Sequence, residues 1–291
     1  MTTVARGTGK CDVCLGNFEA PRVKHSSRQS QQKSLPRSVR ESIRNIQTVR
    51  RWWRRAGRAR NRILGKPDAW VDLLEVCRRI RPGAVLDVGA HVGRMVERFA
   101  DELTDVPIHA FEPTPLSVAA LRQRVARFPN VTVHEVALSD RAGVLPFFIN
   151  RFDATNSLLD NAQGARSSQT ELAEHLGRID VRATTLDEWC AAELPAGDLV
   201  IKADVQGAEG RVVAGGRRAF AERRVAAMYC EVAFAPLYEG QTSFFELHDT
   251  LTVQYGLALW QIYPLSRDAA GRAAWGDALW LREDALASMW R

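Results

Sequence analysis

The sequence predicts an α/β fold in which helices cover both faces of a mostly parallel sheet. After Pro67, short runs of β-forming residues alternate with amphipathic helical segments, a pattern typical of parallel strands joined by crossover helices. The 291 residues, 46% of them hydrophobic, are enough for one sizeable core. Helices are expected at 94–103 and 116–127. Seven strands are expected, at 84–88, 107–111, 131–136, 198–203, 226–231, 257–262 and 277–281.

Charge divides the chain into a basic arm and an acidic body. Residues 1–66 carry 17 Lys and Arg against 3 Asp and Glu, a net charge of +14, whereas residues 67–291 carry 23 against 31, a net charge of −8. Residues 1–36 have few large apolar side chains, and we expect a disordered basic tail. In 37–66, apolar residues recur at helical spacing among arginines, which predicts a basic amphipathic helix. Residues 67–291 then form the main domain.

The role of the basic arm stays open at this stage. A cationic arm can hold nucleic acid or a membrane leaflet, although an arginine-rich face is more often simply solvated. The apolar stripe of 37–63 suits peripheral membrane contact, and it suits packing onto the body or a partner subunit equally well. No apolar run approaches the roughly 18 to 20 residues of a membrane-spanning helix. The odd count of five cysteines indicates a reducing compartment, and we expect the cytoplasm.

The strongest local motif is an apolar strand that ends in a glycine turn, Val85 to Gly93. Gly89 and Gly93 allow a tight turn and a close approach of the backbone to a ligand, where a β-carbon would collide. Asp87, near the end of the strand, is placed to accept a hydrogen bond or offset a positive charge. Such turns occur in several Rossmann-like folds, including nicotinamide-dependent enzymes, but the full G-x-G-x-x-G pattern is missing here.

A second acid makes the glycine turn more specific. Glu112 follows the strand at 107–111, about 20 residues after the turn, where dinucleotide-binding folds place a carboxylate for ribose hydroxyls. This spacing predicts a nucleoside-binding crevice at the strand ends.

The third element is a lysine inside an apolar strand. Lys202 lies in the run 198–203, and a buried ammonium is costly unless it is paired. Because strand side chains alternate, Lys202 and Asp204 share a face, roughly 7 Å apart along the strand. The alternative is that Lys202 reaches outward and pairs with Glu209. A charged pair at the carboxyl end of a strand marks the ligand crevice of α/β sheets.

With these motifs in order, the chain resembles the FkbM family of methyltransferases. The resemblance covers about residues 67–283 and rests on seven segments: VLDVGAHVG (85–93), AFEPTP (110–115), HEVALSD (134–140), TTLDEW (184–189), IKADVQGAEGRVVAG (201–215), YCEV (229–232) and WGDALWLR (275–282). It implies a Rossmann-like class I methyltransferase fold with a seven-stranded sheet whose last strand is antiparallel. It also implies S-adenosyl-L-methionine as cofactor, with 67–291 as the methyltransferase catalytic domain.

The resemblance also assigns cofactor-binding positions. The methionyl end of the cofactor would lie against the glycine turn, Glu112 would hold the ribose, and three residues of the third motif would border the adenine. The turn residues are Asp87, Gly89, Ala90 and Gly93, and the adenine residues are Ala137, Leu138 and Ser139. His91 stands where the family more usually has Asn.

Methyl transfer requires alignment of the reacting atoms and removal of the acceptor's proton. Asp204 is the first candidate base and Glu231 the second, with Lys202 orienting a carboxylate or stabilising negative charge on oxygen. Asn156 and Ser157, in a polar insertion, are candidate substrate contacts. We predict no metal, because the Cys11 and Cys14 pair lacks a second pair at zinc-finger spacing.

The predicted function is O-methylation of a hydroxyl on a small molecule or a carbohydrate, such as a secondary metabolite or a glycan sugar. Two alternatives remain. The first is an RNA methyltransferase that uses the basic arm, although the stacking aromatics of RNA readers are not evident near the motifs. The second is a non-catalytic scaffold that binds S-adenosylmethionine, against which the intact Asp87, Glu112 and Asp204 argue.

Overall fold

A computed structural model of the chain describes residues 68–162, 174–193, 195–268 and 270–289. The predicted basic tail and the predicted helix at 37–66 lie outside these residues. The described chain forms an eight-stranded sheet in the order β10-β11-β8-β7-β1-β2-β3, with β9 also paired to β11, and a three-stranded sheet in the order β4-β6-β5. The strands are β1 (Ala84–Val88), β2 (Ile108–Phe111), β3 (Val131–His134), β4 (Ala137–Leu138), β5 (Gly143–Asn150), β6 (His175–Thr184), β7 (Leu199–Ala203), β8 (Val225–Ala233), β9 (Leu257–Ile262), β10 (Ser266–Arg267) and β11 (Ala273–Arg282).

Three of the helices begin with a recognisable sequence signal. Asp68 caps the first helix by accepting from the backbone of Trp70 and Val71, a proline opens the third, and Ser243 with Glu246 forms a capping box. The helices are α1 (Ala69–Ile80), α2 (Arg94–Glu102), α3 (Pro115–Val125), α4 (Leu186–Glu193), α5 (Glu209–Ala214), α6 (Arg217–Ala221), α7 (Phe244–Asp249) and α8 (Glu283–Met289). None of the helices in the described part of the chain is long and apolar enough to cross a membrane.

The main sheet confirms the predicted fold class. Strands β3, β2, β1, β7 and β8 run parallel, while β11 lies between β8 and β9 and is antiparallel to both. All seven predicted strands are present. Their observed ends lie within a few residues of the predicted ends.

Two features differ from the prediction. The sheet has an eighth strand, the two-residue β10, which pairs with the start of β11. The predicted polar insertion at 151–178 instead contains a short 3₁₀ turn at Asp153–Thr155 and the start of β6, which pairs antiparallel with β5. A proline in β5 and a mostly exposed β6 conceal the alternation that normally identifies a strand.

Alternating strand residues build one core on each face of the sheet. In β1, Leu86 and Val88 belong to the core beneath α4 to α7, whereas Val85 belongs to the core beneath α1 to α3. Asp87 therefore faces the α1 to α3 side, and the register of the parallel pair places it directly opposite Lys202 of β7. The sheet thus presents charged groups on one face near the carboxyl ends of its two central strands.

Arg282, the last residue of β11, contacts residues that precede β7 and β8. Its guanidinium donates two hydrogen bonds of 2.8 Å to Asp198, which precedes β7, and it also contacts Asp284 and the carbonyl oxygen of Arg223. The residue is only 8% exposed. The planar fork of arginine makes all these bonds at once.

We predict that Arg282→Lys lowers the free energy of unfolding by about 2 kcal/mol, because one ammonium cannot replace the bidentate contacts. Denaturant unfolding measures this loss. Arg272→Lys is the control, since Arg272 pairs with Asp268 on the surface and is 81% exposed in its side chain. Its denaturation midpoint should match that of the parent protein. Equal losses of unfolding free energy in the two variants would contradict the prediction.

Candidate cofactor and catalytic site

A cavity of about 140 Å³ that opens to solvent lies where the carboxyl ends of β1, β2 and β7 meet. The predicted site residues Gly89, Glu112 and Asp204 line it, each from a different strand end. The convergence expected from the sequence is therefore present. The other lining residues are Val88, His91, Phe111, Pro113, Ala137, Leu138, Phe147, Asp153, Ala154, Asn156, Leu158, Val205 and Gln206.

The glycine turn is shaped by close packing against the loop after β7. Gly89 has a φ of +75°, and a β-carbon on it would lie 1.9 Å from the carbonyl oxygen of Asp204. Gly93 has a φ of +78° and caps α2, and a β-carbon there would collide with Leu121. Both glycines are therefore required, by the positive φ and by the close approach of their neighbours.

Glu112 is held in place by the glycine turn. One carboxylate oxygen accepts the backbone N–H of His91 at 2.9 Å, and the other accepts the backbone N–H of Thr114 at 3.0 Å and its hydroxyl. Two carboxylate oxygens have about four acceptor positions, so Glu112 retains capacity for another donor such as a ribose hydroxyl. Its side chain is fixed before any ligand arrives.

A buried ion pair lies beneath the cavity. The Lys202 ammonium lies 2.9 Å from an Asp87 oxygen, and 3.7 Å from Asp204. Burial acts to lower the pKa of Lys202, but Asp87 and Asp204 together raise it above its ordinary value, so the ammonium stays charged. Lys202 does not pair with Glu209, whose carboxylate accepts the Val205 N–H instead.

Carboxyl groups crowd the region behind Asp204. Burial, with Asp204, Glu209 and Asp277 adding to it, raises the pKa of Glu231 to about 9. Burial also raises the pKa of Glu209 to about 7. This crowding favours the protonated form of Glu231.

The predicted site residues separate into two groups. Gly89, Glu112, Ala137, Leu138, Asn156 and Asp204 line the cavity. The remainder do not line the cavity, and two of them have clear structural contacts: the hydroxyl of Ser157 donates to the carbonyl oxygen of Gln206 at 2.7 Å, and that of Ser139 donates to Asp140 at 2.9 Å. Residues in this second group are Asp87, Ala90, Gly93, Ser139, Ser157, Lys202 and Glu231.

The sequence reasoning missed several lining residues. Gln206 lies inside a quoted motif but has no charge to draw notice, while Phe147 and Leu158 come from the region of the second sheet. Asp153, another lining residue, contacts the ring of His91 at 3.1 Å. No local pattern identifies these residues, because their proximity depends on how distant segments fold together.

The residues around the cavity are suited to S-adenosylmethionine. A β-carbon on Gly89 would displace the Asp204 loop that borders the cavity, and buried Asp87 has an oxygen, Oδ2, without a hydrogen-bond donor among the described residues. Glu112 supplies a hydrogen-bond acceptor that is already oriented, and Ala137 and Leu138 are apolar residues of the same lining. This combination of an oriented carboxylate, apolar lining residues and a glycine turn suits a nucleoside with a charged tail.

Comparison with known proteins agrees with this geometry. The methyltransferase FkbM domain matches residues 87–256. The chain is 33% identical over 173 residues to the 2-O-methyltransferase NoeI of Sinorhizobium fredii, covering 57% of this chain and 70% of that protein. It is 31% identical over 162 residues to the 31-O-demethyl-FK506 methyltransferase FkbM of Streptomyces tacrolimicus, covering 47% of this chain and 60% of that protein.

Two solved methyltransferase structures that are similar to the chain share little sequence with it. A TehB-like methyltransferase from Corynebacterium glutamicum has a TM-score of 0.34 and 14% identity, over 79% of this chain and 97% of its own. A precorrin-6y C5,15-methyltransferase from Geobacter metallireducens has a TM-score of 0.35 and 11% identity, over 72% and 87%.

The fold, the cavity and the domain match together define an S-adenosylmethionine-dependent methyltransferase. Within that class, the chain belongs to the FkbM methyltransferase family, whose domain covers more than half of it.

We predict that Gly89→Ala lowers S-adenosylmethionine affinity more than tenfold in calorimetry, because the added methyl group must push the Asp204 loop away. The control is Gly256→Ala, at a φ of +70° with open space around the added carbon. That variant should lose about 1 kcal/mol of stability from backbone strain alone and bind cofactor normally. Normal binding by Gly89→Ala would contradict the assigned role of the turn.

A second prediction concerns pH. The carboxyl of Glu231 has a pKa of about 9 in the folded protein and an ordinary value of 4.5, so the folded state binds the extra proton between these values. Stability therefore falls as pH rises through this window. Between about pH 6 and 8, the free energy of unfolding of Glu231→Gln should therefore fall by about 2 kcal/mol less than that of the parent protein.

Urea unfolding at the two pH values measures this difference. Glu239→Gln, at an exposed position of the following loop, serves as the control and should keep the slope of the parent protein. If Glu231→Gln has the parent slope as well, Glu231 is not protonated in the folded state.

Proposed function

We propose that the protein transfers a methyl group from S-adenosylmethionine to a hydroxyl oxygen of a small molecule or a carbohydrate, with Asp204 as general base. The observation that carries this proposal is the position of Asp204 at the tip of β7. Its carboxylate lines the cavity, and its side chain is 46% exposed, so an acceptor can reach it. Two relatives whose names specify O-methylation support oxygen as the acceptor atom.

The chemistry assigns a distinct task to each residue. When bound, S-adenosylmethionine supplies a methyl group on a positively charged sulfur and leaves as a neutral thioether. The acceptor oxygen forms the new bond to carbon while Asp204 takes the hydroxyl proton. Glu112 holds the ribose, and the glycine turn accommodates the methionyl end.

Asp204 is favoured over Glu231 as the base for two reasons. Asp204 lines the cavity, whereas Glu231 is not a lining residue and has a raised pKa that favours its protonated form. Lys202 acts as an orienting cation, since its ammonium lies within 3.7 Å of both Asp87 and Asp204 but does not line the cavity. Asn156 is the better candidate for a substrate contact than Ser157, because Ser157 is fully buried.

We predict that Asp204→Asn binds S-adenosylhomocysteine within about threefold of the parent protein but loses about 100-fold or more in turnover, as expected for a lost general base. Calorimetry and release of S-adenosylhomocysteine measure the two effects. Asp160→Asn is the matched control, since Asp160 is exposed and outside the cavity, and it should turn over normally. Full turnover by Asp204→Asn would contradict the assignment.

The acceptor class is tested with a panel of neutral glycosides, hydroxylated macrocycles, primary amines and total RNA. Mass spectrometry detects the added methyl group, and NMR locates it on oxygen or nitrogen. Methylation of a glycoside or macrocycle oxygen supports the proposal. Exclusive labelling of RNA or of amines would contradict it.

A further inference from the structure

Gln206 lies at the junction of the cavity, the loop after β7 and the insertion. Its backbone has a φ of +55°, which is unusual for a residue with a side chain. The hydroxyl of buried Ser157 holds this conformation by donating to the carbonyl oxygen of Gln206 at 2.7 Å. Because a left-handed conformation costs free energy at a non-glycine residue, the fold maintains it against a local preference.

The side chain of Gln206 connects three other polar groups. Its amide nitrogen donates to Asp204 at 2.7 Å and to Glu231 at 3.1 Å. Its amide oxygen accepts the hydroxyl of Tyr238 at 3.0 Å. Tyr238 is 6% exposed, so it is a rigid anchor.

The amide has one favourable orientation in this setting. Rotating it by half a turn would place its oxygen against the Asp204 carboxylate, and two acceptors repel each other. The Asp204 carboxylate is thus held on one side by the amide and on the other by the Lys202 ammonium, 3.7 Å away. The amide hydrogen bond and the attraction of the ammonium together favour one orientation of the carboxylate relative to the cavity.

We propose that Gln206 is a positioning residue for methyl transfer, whose amide, anchored by Tyr238, fixes the Asp204 carboxylate at the cavity and shares its hydrogen bonds with Glu231. This inference rests on the proposed function, because it takes Asp204 to be the group that receives the acceptor's proton. Gln206 acts through Asp204 and takes no proton itself.

The deciding experiment uses Gln206→Leu, which keeps the approximate size of the side chain and removes its donor. The titration of the Glu231 carboxyl is followed by carbon NMR of the labelled full-length protein, with Glu231→Gln for assignment. Hydrogen bonding by Gln206 lowers the pKa of Glu231, so the midpoint should rise above its parent value of about 9 by about one unit.

Gln254→Leu is the matched control. Gln254 is exposed and outside the cavity lining, and its amide nitrogen donates to the Tyr255 hydroxyl at 3.2 Å. Its loss should leave the Glu231 titration unmoved. An unchanged midpoint in Gln206→Leu, or an equal shift in Gln254→Leu, overturns the inference.

Gln206→Glu adds a functional readout with the glycoside or macrocycle that accepts methyl in the panel. The new carboxylate cannot donate to Asp204 at high pH but can donate once it is protonated. Its turnover relative to the parent protein should therefore recover by at least fivefold as the pH is lowered from about 8.5 to 6.5. A constant ratio across this range contradicts the positioning role.

Asp204→Asn separates this inference from the proposed function. If that variant turns over normally, Asp204 is not the base and the proposed function loses its catalytic assignment, whatever Gln206 does. If Asp204→Asn is inactive and Gln206→Leu leaves both turnover and the Glu231 titration unchanged, only the role of Gln206 is rejected.

Discussion

The buried ion pair between Asp87 and Lys202 is the constraint on which the site depends. Asp87 is fully buried and Lys202 is 5% exposed, yet the parallel register places them opposite each other on the two central strands. Burial raises the pKa of Asp87, and the Lys202 ammonium at 2.9 Å opposes that effect. Removing either partner would leave a buried charge uncompensated, which typically costs about 3 to 5 kcal/mol.

This pair also determines where the functional groups lie. The Lys202 ammonium is 3.5 Å from the carbonyl oxygen of Gly89, so one cation contacts the glycine turn of β1 and the acid at the tip of β7. Both contacts join strand ends that bound the cavity. The glycine turn and Asp204 are therefore both in contact with the same interior ammonium.

Much of this arrangement could be predicted because its signals are local. An apolar run followed by Gly89 specifies a strand and a turn, and the spacing to Glu112 specifies the next strand end. The partner of Lys202 could not be predicted in the same way. A charged residue in each of two apolar strands signals that pairing is needed, but only the register of β1 against β7 selects Asp87 over Glu209. The β5 and β6 pairing is also non-local, and the proline in β5 conceals it.

The same distinction applies within the site. Gln206 and Tyr238 are far apart in sequence, and neither is charged, so their contact follows only from the folding of the loop after β8 against the loop after β7.

The proposed reaction also depends on the balance of charge in the cavity. The cavity carries the carboxylates of Glu112, Asp153 and Asp204, which suit a cationic methyl donor. When Asp204 takes the acceptor's proton, it loses a negative charge in the same step that removes the positive charge from sulfur. The net charge of the cavity is then unchanged by the reaction, so the surrounding buried groups need not reorganise, provided that Asp204 is already oriented when the acceptor arrives.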